Sequence, residues 1–93
     1  MSGARSAPYE VRLERRVVKE VASFEPKVRR QIGETLERLR SNARPHDSRS
    51  LRGVKATFRI DVGEYRILYE IDHGARLVTV WKVAHRKDVY RNL

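Results

Sequence analysis

"TFRIDVGEYRILYEID", Thr57 to Asp72, is the stretch that decides the fold. Phe58, Ile60 and Val62 alternate with Arg59 and Asp61. After Gly63-Glu64, Tyr65, Ile67, Tyr69 and Ile71 alternate with Arg66, Leu68 and Glu70. A period of two marks strands with one buried side, and the glycine-containing pair between the runs predicts a tight connection. Successive side chains of a strand point to opposite faces. The register that buries the apolar set therefore turns Arg59 and Arg66 to the other face.

Downstream, "DHG" at Asp72–Gly74 predicts a second hairpin turn. "ARLVTVWKVA" then reads as a third strand, apolar enough to be central, and its facing is not readable from period alone. Upstream, "YEVRL" (Tyr9–Leu13) alternates like a half-buried strand. "ERRVVKEVASF" switches to helical spacing, with Val17, Val18, Val21 and Phe24 on one stripe. Pro26 suits an early helical position, where a missing N–H costs nothing. Behind it Val28, Ile32, Leu36 and Leu39 form the apolar stripe of a second helix. "SNARPHDS" ends that helix, with Asn42 expected in a left-handed cap and Pro45 blocking continuation.

The expected fold is α+β: strand-helix-helix-strand-strand-strand with a short C-terminal helix or tail. A helical hairpin packs on one face of a small, mainly antiparallel sheet. Residues 1–8 are expected to form a flexible tail and residues 9–93 a single domain. Because no helices remain for the other face, Arg59 and Arg66 should stand on an open sheet surface. The chain closes on "VAHRKDVYRNL", where Arg86, just past the third strand, is placed to reach that surface.

Composition bounds the partners. Lys and Arg number 21 against 12 Asp and Glu, for a net charge of +9 and an isoelectric point near 10.6. Only Lys19, Lys27, Lys55, Lys82 and Lys87 are lysine, so the excess is heavily arginine, which favours planar, bidentate phosphate recognition. The surplus draws in polyanions, nucleic acid or an acidic protein, without locating the contact. Residues 1–43 carry ten basic and six acidic groups, residues 44–93 eleven and six. With no cysteine, disulfides and thiolate metal sites are excluded. His46 and His73 sit in turns without partners at metal-ligand spacing, so neither metal nor cofactor is expected. No apolar stretch reads as a signal peptide or a membrane span, and the expected location is cytoplasmic.

"SLRGVKATFRIDVGEYRILYEID" followed by "VWKVAHRKDVY" resembles the RelE/ParE superfamily of toxins from bacterial and archaeal toxin–antitoxin pairs. The likeness runs from Tyr9 onward, through the element order, the "LRG" before the second strand, "YRILYEI" and the closing "HRKDVYR". Its RelE-like branch implies ribosome-dependent cleavage of mRNA in the A site. A ParE-like toxin that poisons DNA gyrase is the alternative. On this resemblance the sheet-borne basic residues fall on Arg59, Arg66 and Arg86, and the C-terminal tyrosine on Tyr90. Asp61 stands where the family carries a second basic residue, its proposed general base.

RNA cleavage of this kind needs removal of the 2′-OH proton, stabilisation of charge on phosphorus and protonation of the 5′-oxygen. Arg66 fits the second task, since guanidinium offers parallel donors to phosphate oxygens. Arg59 reads as a phosphate positioner or as stabiliser of the attacking oxygen. Arg86 reads as a contact to the leaving-group phosphate, being a poor proton donor with a pKa above about 12. His85 has the titration range that acid–base work prefers, or is a hydrogen-bonded edge histidine. Tyr90 stacks on a splayed base or anchors the tail. Asp61 is a carboxylate base or the group that holds Arg59. Arg52, Lys55, Lys82 and Lys87 are candidate RNA-backbone contacts. The resemblance also implies a cognate antitoxin, acidic and partly disordered alone, with the ribosome and its message as targets. Operator DNA would be bound only through the antitoxin complex, and no membrane is involved.

Overall fold

A computed structural model describes residues 8–91. Two helices cover one face of a five-stranded sheet ordered β1-β5-β4-β3-β2. The strands are β1 (Glu10–Leu13), β2 (Arg49–Ser50), β3 (Thr57–Val62), β4 (Tyr65–Asp72) and β5 (Leu77–His85); α1 is Arg15–Ala22 and α2 Pro26–Ser41. All pairings are antiparallel except β1 with β5, where Glu10–Leu13 runs parallel to Leu77–Val80. The expected α+β order is therefore present, with β2 added as a two-residue edge strand. Of the expected tail, residues 1–8, only Pro8 lies within the described residues. Among the described residues no helix is long and apolar enough to cross a membrane.

The alternation in Thr57–Asp72 is realised as written. Phe58, Ile60, Val62, Ile67, Tyr69 and Ile71 are buried in one cluster with Val17, Ile32 and Leu39 from the helices. Gly63, at φ +57°, makes the β3–β4 turn in a backbone region that a side chain would strain. The Tyr69 hydroxyl crosses the core to donate to the Ala43 carbonyl at 2.9 Å, pinning the loop after α2 to the sheet.

Three local expectations are corrected. Val18 is 52% exposed, because an eight-residue helix lying on β5 buries a narrow stripe led by Val17. Asn42 is extended (φ −151°, ψ 101°), not left-handed; its side-chain oxygen instead accepts from the Arg44 N–H at 3.1 Å. The second hairpin turn occupies residues 73–76, with Arg76 at φ +52°, while Asp72 still belongs to β4.

One irregularity decides facing in β5. Leu68 pairs with Lys82 but Tyr69 pairs with Val80, so Trp81 is an extra residue in a β-bulge. Before the bulge Val78 and Val80 face the helices; after it Val83 does, and the parity of the strand has changed.

Candidate functional site

Arg59 and Asp61 share a face of β3 by their spacing, and Asp61 is the cross-strand partner of Arg66 on β4. The result is a connected cluster. Asp61 Oδ1 lies 3.2 Å from Arg59 Nε and 3.1 Å from Arg66 Nε, so one carboxylate oxygen holds two guanidinium groups. Arg66 is only 16% exposed, and its Nη1 donates at 3.0 Å to the carbonyls of Gly63 and Tyr65. The β3–β4 turn, shaped by the positive φ of Gly63, thus aims this side chain. Arg59 Nε is buried without a hydrogen bond, since its approach to Asp61 is a charge contact off the N–H axis. Arg59 Nη1 donates to the Tyr90 hydroxyl at 3.0 Å. That bond, reinforced by the Asp61 charge against the opposing effect of burial, raises the Arg59 pKa above its ordinary value and keeps the group cationic.

Tyr90 reaches β3 because the chain end folds back. The His85 carbonyl accepts from the N–H groups of Asp88 (2.8 Å) and Val89 (3.0 Å), closing a turn directly after β5. Val89 is fully buried, as is Leu68 on the face away from the helices, and neither belongs to the main core cluster. The face expected to stand open is therefore covered in its middle by the tail. The cationic cluster stands at the margin of that cover.

Two expected members are not in the cluster. Arg86 donates its N–H to the Glu64 carbonyl at 2.8 Å and pairs its Nε with Glu64 Oε1 at 3.1 Å. It stands beside the turn that holds Arg66, at the rim, so the expected convergence of three arginines reduces to two joined by Asp61 and one alongside. His85 is turned to the helix side by the bulge. Its register partner is Tyr65, the rings meet edge to face at 5.6 Å, and Nδ1 accepts from the Lys87 N–H at 3.1 Å. Arg52 and Lys55 are exposed in the loop between β2 and β3, Lys82 is half-buried opposite Leu68, and Lys87 is exposed in the tail.

One residue escaped the sequence reading. Arg49 is the register partner of Arg59 across β2 and β3, which puts it on the same face. A two-residue strand has no period, and no signal short of the pairing itself could have found it.

A family model described as the ParE toxin of the type II toxin–antitoxin system parDE matches residues 11–90. The chain belongs to this toxin family. The toxin is 25% identical over 87 residues to a protein bearing the toxin name RelE1 from Methanocaldococcus jannaschii, covering 90% of this chain and 97% of the relative. The toxin chain superposes on the structure of the RelBE2 toxin–antitoxin complex of Mycobacterium tuberculosis with a TM-score of 0.75 at 27% identity. That match covers 88% of this chain and 95% of the other. The archaeal RelE–RelB complex of Pyrococcus horikoshii gives a TM-score of 0.78 at 23% identity, covering 88% and 99%, and shows the shared fold. The protein is thus a toxin of the RelE/ParE superfamily with the RelE-like architecture.

Proposed function

We propose that this toxin is a ribosome-dependent endoribonuclease that cleaves mRNA in the A site and so halts translation. The observation that carries the reading is the pair Arg59 and Arg66, joined through one oxygen of Asp61 and met by the Tyr90 hydroxyl on the helix-free side of the sheet. In the reaction the 2′-oxygen bonds to the adjacent phosphorus as the bond from phosphorus to the 5′-oxygen breaks. The products are a 2′,3′-cyclic phosphate and a 5′-hydroxyl. Arg66, with Nη2 lacking a hydrogen-bond partner among the described residues, and Arg59 stabilise the charge that develops on phosphorus. Arg86 contacts the phosphate on the leaving side. Asp61 fixes both guanidinium groups through Oδ1, and its second oxygen accepts the 2′-OH proton. Tyr90 accepts from Arg59 and donates its own proton to the 5′-oxygen as that oxygen leaves phosphorus. His85, packed against Tyr65 on the helix side, has no part in this scheme. With so few acid–base groups, much of the rate comes from the ribosome holding the message in reactive geometry.

The partners follow from the same reading. Relatives of this fold stand in RelE–RelB complexes, and a cognate antitoxin would bind this toxin too. An amphipathic segment suits the groove of about 610 Å³ between β1 and α2, where Val11, Leu13 and Leu36 lie beside Glu10, Glu37 and Arg40. Operator DNA would be reached through that antitoxin.

A gyrase-binding toxin is the second reading, favoured by the ParE name of the matching family and by Asp61 in place of a basic residue. One experiment separates the two: purified toxin is added to a translation reaction, message ends are mapped, and gyrase-dependent DNA breakage is measured in parallel. Cleavage at occupied A sites, lost in Arg66→Ala with the fold intact, is expected. Intact message with gyrase-dependent breaks would overturn the nuclease in favour of the poison.

A further inference from the structure

Arg49 sits directly opposite Arg59 on the open face, and two cations at that separation repel unless something between them is negative. The arginines that β1, β3, β4 and the end of β5 place on this side have carboxylate partners: Arg12 has Glu10, Arg59 and Arg66 share Asp61, and Arg86 has Glu64. Among the described residues Arg49 has none. Its Nη1 leans on the carbonyls of His46 and Ser48 at 3.4 and 3.3 Å, long contacts that steady the side chain and leave Nε and Nη2 without protein partners among the described residues. Beyond β2 the sheet ends, and the loop that follows carries exposed Arg52 and Lys55. Arg49 thus carries the cations of the Asp61 cluster from β3 onto the edge strand β2.

We propose that Arg49 is a substrate-positioning residue, which grips the phosphate neighbouring the one held by Arg59 and Arg66. Single-stranded RNA then crosses the sheet toward β2. The proposal rests on the nuclease reading of the site and adds the direction of the strand. It also accounts for the like-charge pair: an RNA phosphate between Arg49 and Arg59 supplies the negative charge that the protein omits.

The test uses purified, fluorescently labelled toxin and ribosomes whose A site holds a short message with a 2′-O-methyl group at the cleavage position. Neutral methylphosphonate replaces one linkage at a time, and binding is followed by fluorescence anisotropy at low salt. For the unaltered toxin, one linkage beside the scissile one should cost about tenfold in affinity when neutralised, as for a charge-assisted bond. In Arg49→Ala that extra loss should vanish at this linkage alone, and Arg49→Lys should restore part of it. The Arg66→Ala toxin should retain it while losing its own linkage. Equal sensitivity of Arg49→Ala and unaltered toxin at every linkage would overturn the role of Arg49 while the Arg66 result still supports the site. Binding indifferent to Arg66, Arg59 and Arg49 alike would remove the site itself, and this proposal with it.

Discussion

Asp61 shows how one side chain can organise a site without being its strongest chemical group. The period-two reading of Thr57–Val62 already puts it beside Arg59, and only the register with Arg66 makes it a bridge. In Asp61→Asn the shape survives but the charge that holds two guanidinium groups is lost. Message cleavage should fall by about a hundredfold, the scale of losing a proton acceptor. Cleavage within a few-fold of the unaltered toxin would show that Asp61 only fills space. Tyr69 ties stability to pH. Its hydroxyl is buried on the Ala43 carbonyl, and burial raises its pKa above the ordinary 10.0. Since the folded value is the higher, this contribution is complete below pH 10 and is lost as pH climbs through the raised value. Tyr69→Phe should cost about 1–2 kcal/mol by stranding the carbonyl and should flatten the alkaline limb of stability. Urea titrations between pH 7 and 11 read both effects.

At the scale of elements, the tail and the bulge decide which groups meet. Counting by two from Val78 and Val80 would put His85 on the open face; the extra Trp81 sends it to the helix side and leaves Arg86 beside the β3–β4 turn. A bulge leaves no clear mark in a strand as apolar as β5, whose period is already blurred, so this could not be read in advance. The fold-back of residues 86–91 rests on Val89, fully buried outside the main core. Val89→Asp would bury a carboxylate and should peel the tail away while the core stays folded. Cleavage should then drop to the level of Tyr90→Phe, with proteolytic cuts appearing after residue 85. A tail that becomes cut-prone while cleavage persists would show that Tyr90 is dispensable.

For the whole molecule, topology sets the order of assembly. The two hairpins of β3, β4 and β5 are local, whereas Glu10 must find Leu77 to zip β1 into place. Ile67→Val should therefore slow folding, and Val11→Ala should mainly speed unfolding. Stopped-flow chevrons check this, and equal effects on both folding rates would contradict it. The charge acts at this scale as well. A surplus of +9 steers the toxin toward polyanions from any side, and on the open face cations meet a bridging acid and a phenol.

The chain by itself determined the two helices, the three long strands and the face on which Arg59, Asp61 and Arg66 stand. Those depend on periods of two and three to four residues, which the hydrophobic effect reads locally. Tertiary structure alone decided the parallel seat of β1, the turning of His85, the pairing of Arg86 with Glu64, the return of Tyr90 and the placing of Arg49 against Arg59. Each of these is a contact between distant segments. Its energy comes from register and packing across the sheet, and no short window of sequence contains it.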